Sequence, residues 1–175
     1  MARKGAVKAT EETNTVEPQE EKKAFKVKQR LTPHTYVTVR NGFNGKLIYI
    51  SAHTKEEFVW EHFGDEQEME LQELKNAKSS GKAFFARNWF LFDDPEVIEY
   101  LGVERFYQNA LSFEEFDDLF TWPADEIARR VSGLSNGQKQ SLAYMAKQQI
   151  AEGKIDSIKV IHTLEECLGV ELIEH

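Results

Sequence analysis

The stretch YVTVRNGFNGKLIYI, residues 36–50, decides the fold class. Residues 36–39 and 47–50 are β-branched, aromatic or otherwise apolar, as strands prefer. Between them, Asn41-Gly42 and Asn44-Gly45 supply residues that accept the positive φ angles of a tight chain reversal. The stretch therefore predicts an antiparallel β-hairpin.

Strand-like composition continues beyond this stretch as far as residue 94. The segment GKAFFARNWFLFDD, residues 81–94, predicts a final strand pair or one long strand, because its aromatic side chains are too many for one face. Residues 72–79 before it predict a short helical turn. Residues 26–94 are thus predicted to form a small antiparallel β module with a short helix.

From Asp94-Pro95 onward the sequence pattern is helical. Asp94 can cap a helix that has Pro95 at its first position, and Ser112 with Glu115 forms a capping box. Further N-caps are predicted at Ser135 and at Asp156 or Ser157. The predicted fold class is α+β, with an all-helical C-terminal module at residues 95–175.

Charge divides the chain unevenly. Residues 1–30 carry eight Lys and Arg against five Glu, a net charge of +3, whereas residues 31–175 carry −11, so that the whole chain is −8. Residues 1–25 have no hydrophobic period, so they predict a disordered, charged N-terminal arm. An acidic body is a poor match for a phosphate backbone, and the basic arm is therefore the expected place for any nucleic-acid contact.

Aromatic residues are abundant, with 12 Phe, five Tyr and three Trp in 175 residues. One interpretation is a Phe-rich core where the β and helical modules meet. The other is that some of these side chains form an exposed patch for a protein partner. The predicted partner-binding residues are Trp60, Trp89, Phe90 and Trp122.

The segment EIARRVSGLSNGQKQSL, residues 126–142, resembles the middle of a helix-turn-helix. A DNA-reading hairpin at residues 124–150 would present Asn136, Gln138 and Lys139 to base edges. The alternative is a plain helical hairpin, with a Gly ending the first helix and a Ser capping the second. The carboxylates of the preceding FEEFDDLF, residues 113–120, would repel phosphate and favour the alternative.

The sequence contains no recognisable catalytic, cofactor-binding or metal-binding motif. Its five histidines are scattered, none four residues from another with a Glu between, and Cys167 is the only cysteine. No apolar run reaches the roughly 18 residues of a membrane span, and we expect no secretory signal, because no apolar stretch follows the N-terminal charges. We therefore expect a protein that is not an enzyme, needs no cofactor or metal, contacts no membrane and is cytoplasmic at synthesis.

Several segments together carry a resemblance to a class of viral proteins. They are VTVRNGFNGKLIYIS, FGDEQEMELQEL, FFARNWFLFDD, EVIEYLGV and GKIDSIKVIHTLEECLGVELIE. In this pattern the chain resembles small structural or assembly proteins of tailed bacteriophages of Gram-positive hosts. The resemblance implies a virion-associated protein whose partners are other phage structural proteins, with the arm as a clamp on a neighbouring subunit.

The leading hypothesis is thus a non-enzymatic virion or assembly protein that acts through protein–protein contacts. One alternative is a DNA- or RNA-binding regulator that uses the hairpin at residues 124–150 and the arm. Another is an inhibitor or adaptor that binds a host enzyme through its acidic face, with FEEFDDLF mimicking nucleic-acid charge.

Overall fold

Small antiparallel sheets and eight helices make up the described part of the chain, a computed structural model of residues 30–173. The predicted arm at residues 1–25 lies outside these residues. In chain order the elements are β1 (Tyr36–Asn41), β2 (Leu47–Ile50), β3 (Glu57–Trp60), β4 (Glu66–Glu70), α1 (Leu71–Ser80), α2 (Lys82–Ala86), β5 (Phe90–Leu91), α3 (Pro95–Leu101), α4 (Glu104–Tyr107), α5 (Phe113–Asp118), a 3-10 turn (Leu119–Thr121), α6 (Ala124–Ser132), α7 (Asn136–Ala151) and α8 (Ile158–Leu168). The predicted α+β class is confirmed.

The predicted hairpin at residues 36–50 is wrong, because its two strands belong to different sheets. Strand β1 is the centre of a three-stranded sheet in the order β4-β1-β5, whereas β2 pairs with β3 in a two-stranded sheet. One edge of β1 pairs with β4 over residues 36–40, and the other pairs with β5 at Arg40 and Asn41. Asn41 fixes the conformation of the connection between β1 and β2, since its Nδ2 donates to the carbonyl oxygens of Gly45 and His62 at 2.8 Å.

The two glycines of this connection have different roles. Gly45 has a φ of 128°, as a reversal needs. Gly42 is required for close approach instead, because a Cβ there would lie 2.3 Å from the carbonyl oxygen of Asn88. The Gly42 amide donates to the carbonyl oxygen of Trp89 at 2.7 Å, which joins the loop to the start of β5.

The aromatic segment at residues 81–94 also differs from its prediction. It forms the short helix α2, a turn in which Asn88 has a φ of 54°, and the two-residue strand β5. Phe84 stacks on Phe90 with ring centroids 4.8 Å apart, and Phe85 meets Phe90 edge-on at 5.5 Å. A continuous strand would point Phe84 and Phe85 to opposite faces, so tertiary packing overrides β propensity here.

The helical caps form as predicted. Asp94 accepts from the Glu96 amide at 2.8 Å, and Ser112 and Glu115 complete their capping box. Ser135 accepts from the Gln138 amide at 3.2 Å, while Ser157, rather than Asp156, caps α8.

Within residues 30–173, two clusters of buried apolar side chains form the core. The first cluster contains residues of both sheets and of α1, α2 and α3. The second contains residues of α5, α6, α7 and α8 and of the segments around these helices, together with Leu91 of β5. The division of the chain into modules at residue 94 stays a prediction.

A buried tyrosine on β2, Tyr49, makes the stability of the fold sensitive to alkali. The Tyr49 hydroxyl donates to Glu73 Oε1 at 2.6 Å, and burial together with this bond raises the pKa of Tyr49 well above that of a free tyrosine. The folded state binds the hydroxyl proton more tightly than the unfolded state does. The contribution of the Tyr49 hydroxyl to the free energy of unfolding is therefore complete below about pH 10, the pKa of tyrosine in an unfolded chain, and is lost as the pH rises further.

We therefore expect Tyr49→Phe to flatten the alkaline fall in stability. Each such tyrosine steepens the fall by up to about 1.4 kcal/mol per pH unit. The measurement is urea unfolding of wild type and variant between pH 8 and 11. Tyr144→Phe, which removes an exposed hydroxyl, is the matched control. Equal slopes for wild type and Tyr49→Phe would contradict the assignment.

Candidate protein-contact site

Two of the predicted contact residues, Trp60 and Phe90, lie in the core. Both side chains are fully buried, and their rings pack against each other at 5.5 Å. Trp60 Nε1 donates to the carbonyl oxygen of Val39 at 3.0 Å. A partner cannot reach either side chain in this fold, so the prediction that they are surface anchors is wrong.

Trp89 and Trp122 are only half buried. Trp89 meets Phe43 and Phe84 edge-on, and the Arg87 guanidinium lies 5.0 Å from its ring centroid. Its Nε1 is buried and has no hydrogen-bond partner among the described residues. Trp122 packs against the cluster that contains residues of α5, α6, α7 and α8. For these two residues a role in contacts stays a prediction.

The hairpin at residues 124–150 consists of α6 and α7, but Gln138 cannot read a base edge. Its side chain is fully buried. Gln138 Oε1 accepts from the Leu111 amide at 3.0 Å, and Nε2 donates to the Leu111 carbonyl at 2.9 Å. Its amide therefore serves the protein backbone, and its prediction as a nucleic-acid-binding residue is wrong.

One side of the first turns of α7 faces the protein interior. Ser141 Oγ donates to the Gly42 carbonyl at 2.8 Å, and Ser135 Oγ donates to the Arg87 carbonyl at 3.2 Å. Gly137 lies so close to Arg87 that a Cβ would be 2.1 Å from the Arg87 carbonyl oxygen. These are the turns that a recognition helix places in the major groove. In this chain they contact the connection between β1 and β2 at Gly42 and the turn at Arg87.

Asn136 is exposed and Lys139 is half buried, so both stay predictions for the nucleic-acid alternative. The acidic residues Glu114, Asp117 and Asp118 of α5 are exposed, and the proposed acidic docking face likewise stays a prediction. The basic arm, with its predicted nucleic-acid contacts, lies outside the described residues.

In the described range the structure brings together no group of three or more His, Cys, Asp or Glu side chains that could hold a metal ion. His62 Nδ1 lies 3.6 Å from Asp65 Oδ2, but that oxygen also accepts the amides of Glu61 and His62, as in an ordinary turn. None of the helices within residues 30–173 is long and apolar enough to cross a membrane.

Most aromatic side chains of the described residues lie in the two core clusters or pack against them, and the exposed apolar surface is mainly aliphatic. Among the described residues, the large apolar side chains that are exposed are Tyr36, Ile48, Ile50, Tyr144, Ile158, Val170 and Ile173. Ile48 and Ile50 differ from the others because they share one face of one strand. We call β2 and β3 the ribbon, and the surface formed by Ile48, Ile50, Val59 and Glu57 its outer face.

The ribbon is apolar on both sides. Its inner side buries four residues, two from each strand: Leu47, Tyr49, Phe58 and Trp60. On the outer face Ile48 is 42% exposed and lies opposite Val59, and Ile50 is 57% exposed and lies opposite Glu57. Antiparallel sheets with one solvated side normally alternate apolar with polar residues, so the apolar outer side is a departure that suits a further contact.

The free edge of β2 presents backbone groups as well. The Ser51 amide donates to the Glu56 carbonyl at 2.8 Å, which makes positions 51 and 56 a hydrogen-bonded pair. Pairing alternates along an antiparallel ladder, so Tyr49 bonds to β3 while the amides and carbonyls of Ile48 and Ile50 point away from it. Within the described chain β3 is the only strand that pairs with β2.

Charged side chains border the outer face without covering it. Lys46 Nζ lies 2.8 Å from Glu61 Oε1 at one end of the ribbon, and both side chains are about half exposed. Lys55 and Glu56 are exposed in the loop at the other end. An apolar centre with a polar rim is the usual composition of a protein–protein interface.

The sequence predicts an apolar strand at residues 47–50 but does not predict the ribbon. The signal was present, because LIYI has no polar residue at either alternate set of positions. The apolar pattern alone does not show which side of the strand is exposed. That depends on β2 having one neighbouring strand and one covered face within the described chain.

No protein-family model, curated protein or solved structure matches the chain.

Proposed function

We propose that this protein is a non-enzymatic component of a protein assembly, of the phage structural kind that its sequence pattern resembles, and that the outer face of the ribbon contacts another protein. The observation that carries the proposal is the exposure of Ile48 and Ile50 side by side on one strand. The polar rim and the buried inner side of the ribbon support it.

The outer face of the ribbon is too small to hold a complex together by itself, so a contact there needs further anchor residues. Burying an isoleucine fully contributes about 1.5–3 kcal/mol, so covering the exposed halves of Ile48 and Ile50 contributes about 2 kcal/mol. A stable complex needs more than this, because association itself costs several kcal/mol. We expect the two side chains to act as the apolar centre of a larger interface.

Ile50→Lys is expected to weaken the contact by about tenfold or more, since it removes apolar burial and places a charge in the interface. The measurement is co-purification with the products of the adjacent genes, followed by a titration with each product that co-purifies. The fold should be unchanged by circular dichroism, because the side chain is mostly exposed.

Ile158→Lys is the matched control. Ile158 is 71% exposed at the start of α8, outside the ribbon, so the same substitution should leave the contact unchanged. Equal loss in both variants would contradict the placement of the interface. Absence of binding to any adjacent gene product, in wild type as well, would contradict the assembly function itself.

A further inference from the structure

Three asparagines of the chain are each followed by a glycine: Asn41, Asn44 and Asn136. In such a pair the backbone nitrogen of the glycine can attack the side-chain carbonyl carbon, Cγ, of the asparagine. Glycine permits this approach because it has no Cβ and its backbone adopts many conformations. The attack needs a free asparagine side chain, an unpaired glycine N–H and a backbone that can rotate between the two residues. The fold therefore decides which pair reacts.

Hydrogen bonds protect Asn41 from this reaction. Its side chain is fully buried and bonds to three backbone groups, each at 2.8 Å. The amide of Gly42, which would have to attack, donates to the carbonyl oxygen of Trp89 at 2.7 Å. Ring closure at Asn41 would break these bonds in the interior, where polar groups without partners are costly.

Asn136 is exposed, but a helix holds the peptide that follows it. Asn136 is the first residue of α7, and closing the five-membered ring requires a backbone ψ far from the helical value of about −42°. Rotation to that angle would also displace Gly137, which is buried against the carbonyl of Arg87. Ser135 caps the same turn by accepting the Gln138 amide at 3.2 Å. Reaction at this pair therefore requires local unfolding of the first turn.

The pair Asn44-Gly45 has none of these protections. It lies outside any helix or strand, in the connection between β1 and β2, and both residues are partly exposed. Among residues 30–173, neither the side-chain amide of Asn44 nor the backbone N–H of Gly45 has a hydrogen-bond partner. The Asn44 amide donates to Ser141 Oγ at 3.2 Å, and the Gly45 carbonyl accepts from Asn41 at 2.8 Å. These two bonds fix the ends of the pair and leave the reacting atoms free.

We propose that Asn44 is a site of spontaneous modification, at which the chain reacts with itself and then with water. The Gly45 nitrogen forms a bond to Asn44 Cγ and the Cγ–Nδ2 bond breaks. The Nδ2 group leaves as ammonia, taking up the proton that the Gly45 nitrogen loses. Water then adds to one of the two carbonyl groups of the ring and opens it, which gives aspartate or isoaspartate at position 44. Either product makes the chain, whose net charge is −8, one charge more negative.

The modified position lies shortly before β2, which begins at Leu47. An isoaspartate lengthens the connection between β1 and β2 by one backbone atom, because the chain then runs through the side chain of residue 44. The reaction depends only on groups within this connection and on water. It is therefore independent of the proposed protein contact.

The test is peptide mapping by mass spectrometry of the full chain after storage in neutral buffer for several weeks. Trypsin cleaves after Arg40 and Lys46 and releases Asn41 and Asn44 in one peptide, in which fragmentation assigns the position of the change. We expect conversion at Asn44 to be about tenfold or more faster than at Asn41 and Asn136, because these two react only from locally open states.

The same chain unfolded in guanidinium chloride is the control for intrinsic reactivity. All three asparagines then have an accessible glycine nitrogen and should convert at similar rates. Asn44→Gln is the matched variant, because glutamine would need a six-membered ring, which closes more slowly. Its folded form should keep a single charge state on ion exchange, while the wild type gains an acidic form.

Similar conversion of the three asparagines in the folded chain, or faster conversion at Asn41 or Asn136, would overturn the proposal. An unchanged Asn44 in the folded chain, with conversion in the unfolded chain, would overturn it as well. So would an acidic form of Asn44→Gln that appears at the wild-type rate. Failure of the adjacent-gene experiment would leave these rates unaffected.

Discussion

Gln138→Met is expected to lower the free energy of unfolding by about 3 kcal/mol, because it leaves two buried backbone groups without partners at about 1–3 kcal/mol each. Those groups are the amide and the carbonyl of Leu111, both of which bond to the Gln138 side chain. Methionine is close to glutamine in volume and in helix propensity, so packing and helix formation contribute little to the change. The measurement is urea unfolding at neutral pH.

Gln140→Met is the control for this prediction. Gln140 lies on the same helix, but it is exposed, so its replacement should change stability by no more than about 0.5 kcal/mol. A base-reading role for Gln138 predicts the reverse pattern, with unchanged stability and weaker nucleic-acid binding. Unchanged stability of Gln138→Met would therefore overturn the structural role that we assign to it.

Gly137→Ala is expected to destabilise the protein by about 2 kcal/mol, within the usual range of about 1–3 kcal/mol for overpacking. The new Cβ would lie 2.1 Å from the Arg87 carbonyl oxygen and 2.8 Å from the Arg87 Cβ, so the backbone of one segment must move. The direction of this change distinguishes the close contact from an effect of helix propensity. Alanine in place of glycine within an exposed helix normally raises the free energy of unfolding by about 1 kcal/mol.

Gly133→Ala is the matched control in the same hairpin. The nearest atom to a Cβ at position 133 is 3.5 Å away, an ordinary contact, and the residue has a φ of −85° that alanine accepts. We expect unchanged or slightly raised stability for this variant. If Gly137→Ala were as stable as Gly133→Ala, the close attachment of α7 to the turn at Arg87 would be wrong.

Local features of the fold were predictable from the sequence. The caps at Asp94, Ser112 and Ser135 depend on a side chain and an amide two or three residues apart, so the sequence contains all the information they need. Helix positions followed from these caps and from apolar spacing. The α+β class and the helical character of the chain after residue 94 were therefore predicted correctly.

Strand pairing was not predictable in the same way. The short connection between β1 and β2 favoured a hairpin, yet β1 pairs with β4 and β5, and β5 is about 50 residues away. Pairing β1 with β2 would form backbone hydrogen bonds just as pairing it with β4 and β5 does. The choice between these pairings therefore depends on which arrangement buries Trp60, Phe90 and their neighbours. That choice is made by the whole core and not by the turn.

The candidate site shows the same limit. Tryptophans were the natural anchors to predict, because large aromatic residues dominate interfaces, but the same property makes them the residues that a core gains most by burying. In the structure Trp60 and Phe90 are buried in the core, and Ile48 and Ile50 are exposed. Polar Gln138 was assigned to the surface for its chemistry, although its two hydrogen bonds to Leu111 hold it inside.

The sequence by itself determined the α+β class, the helix caps and the charge contrast between the first 30 residues and the rest of the chain, because each depends on composition or on residues close together in the chain. Only the tertiary structure decided which strands pair, which aromatic residues are buried and which side of LIYI faces solvent. These depend on contacts between residues tens of positions apart, and their energies are set by the packing of all partners together.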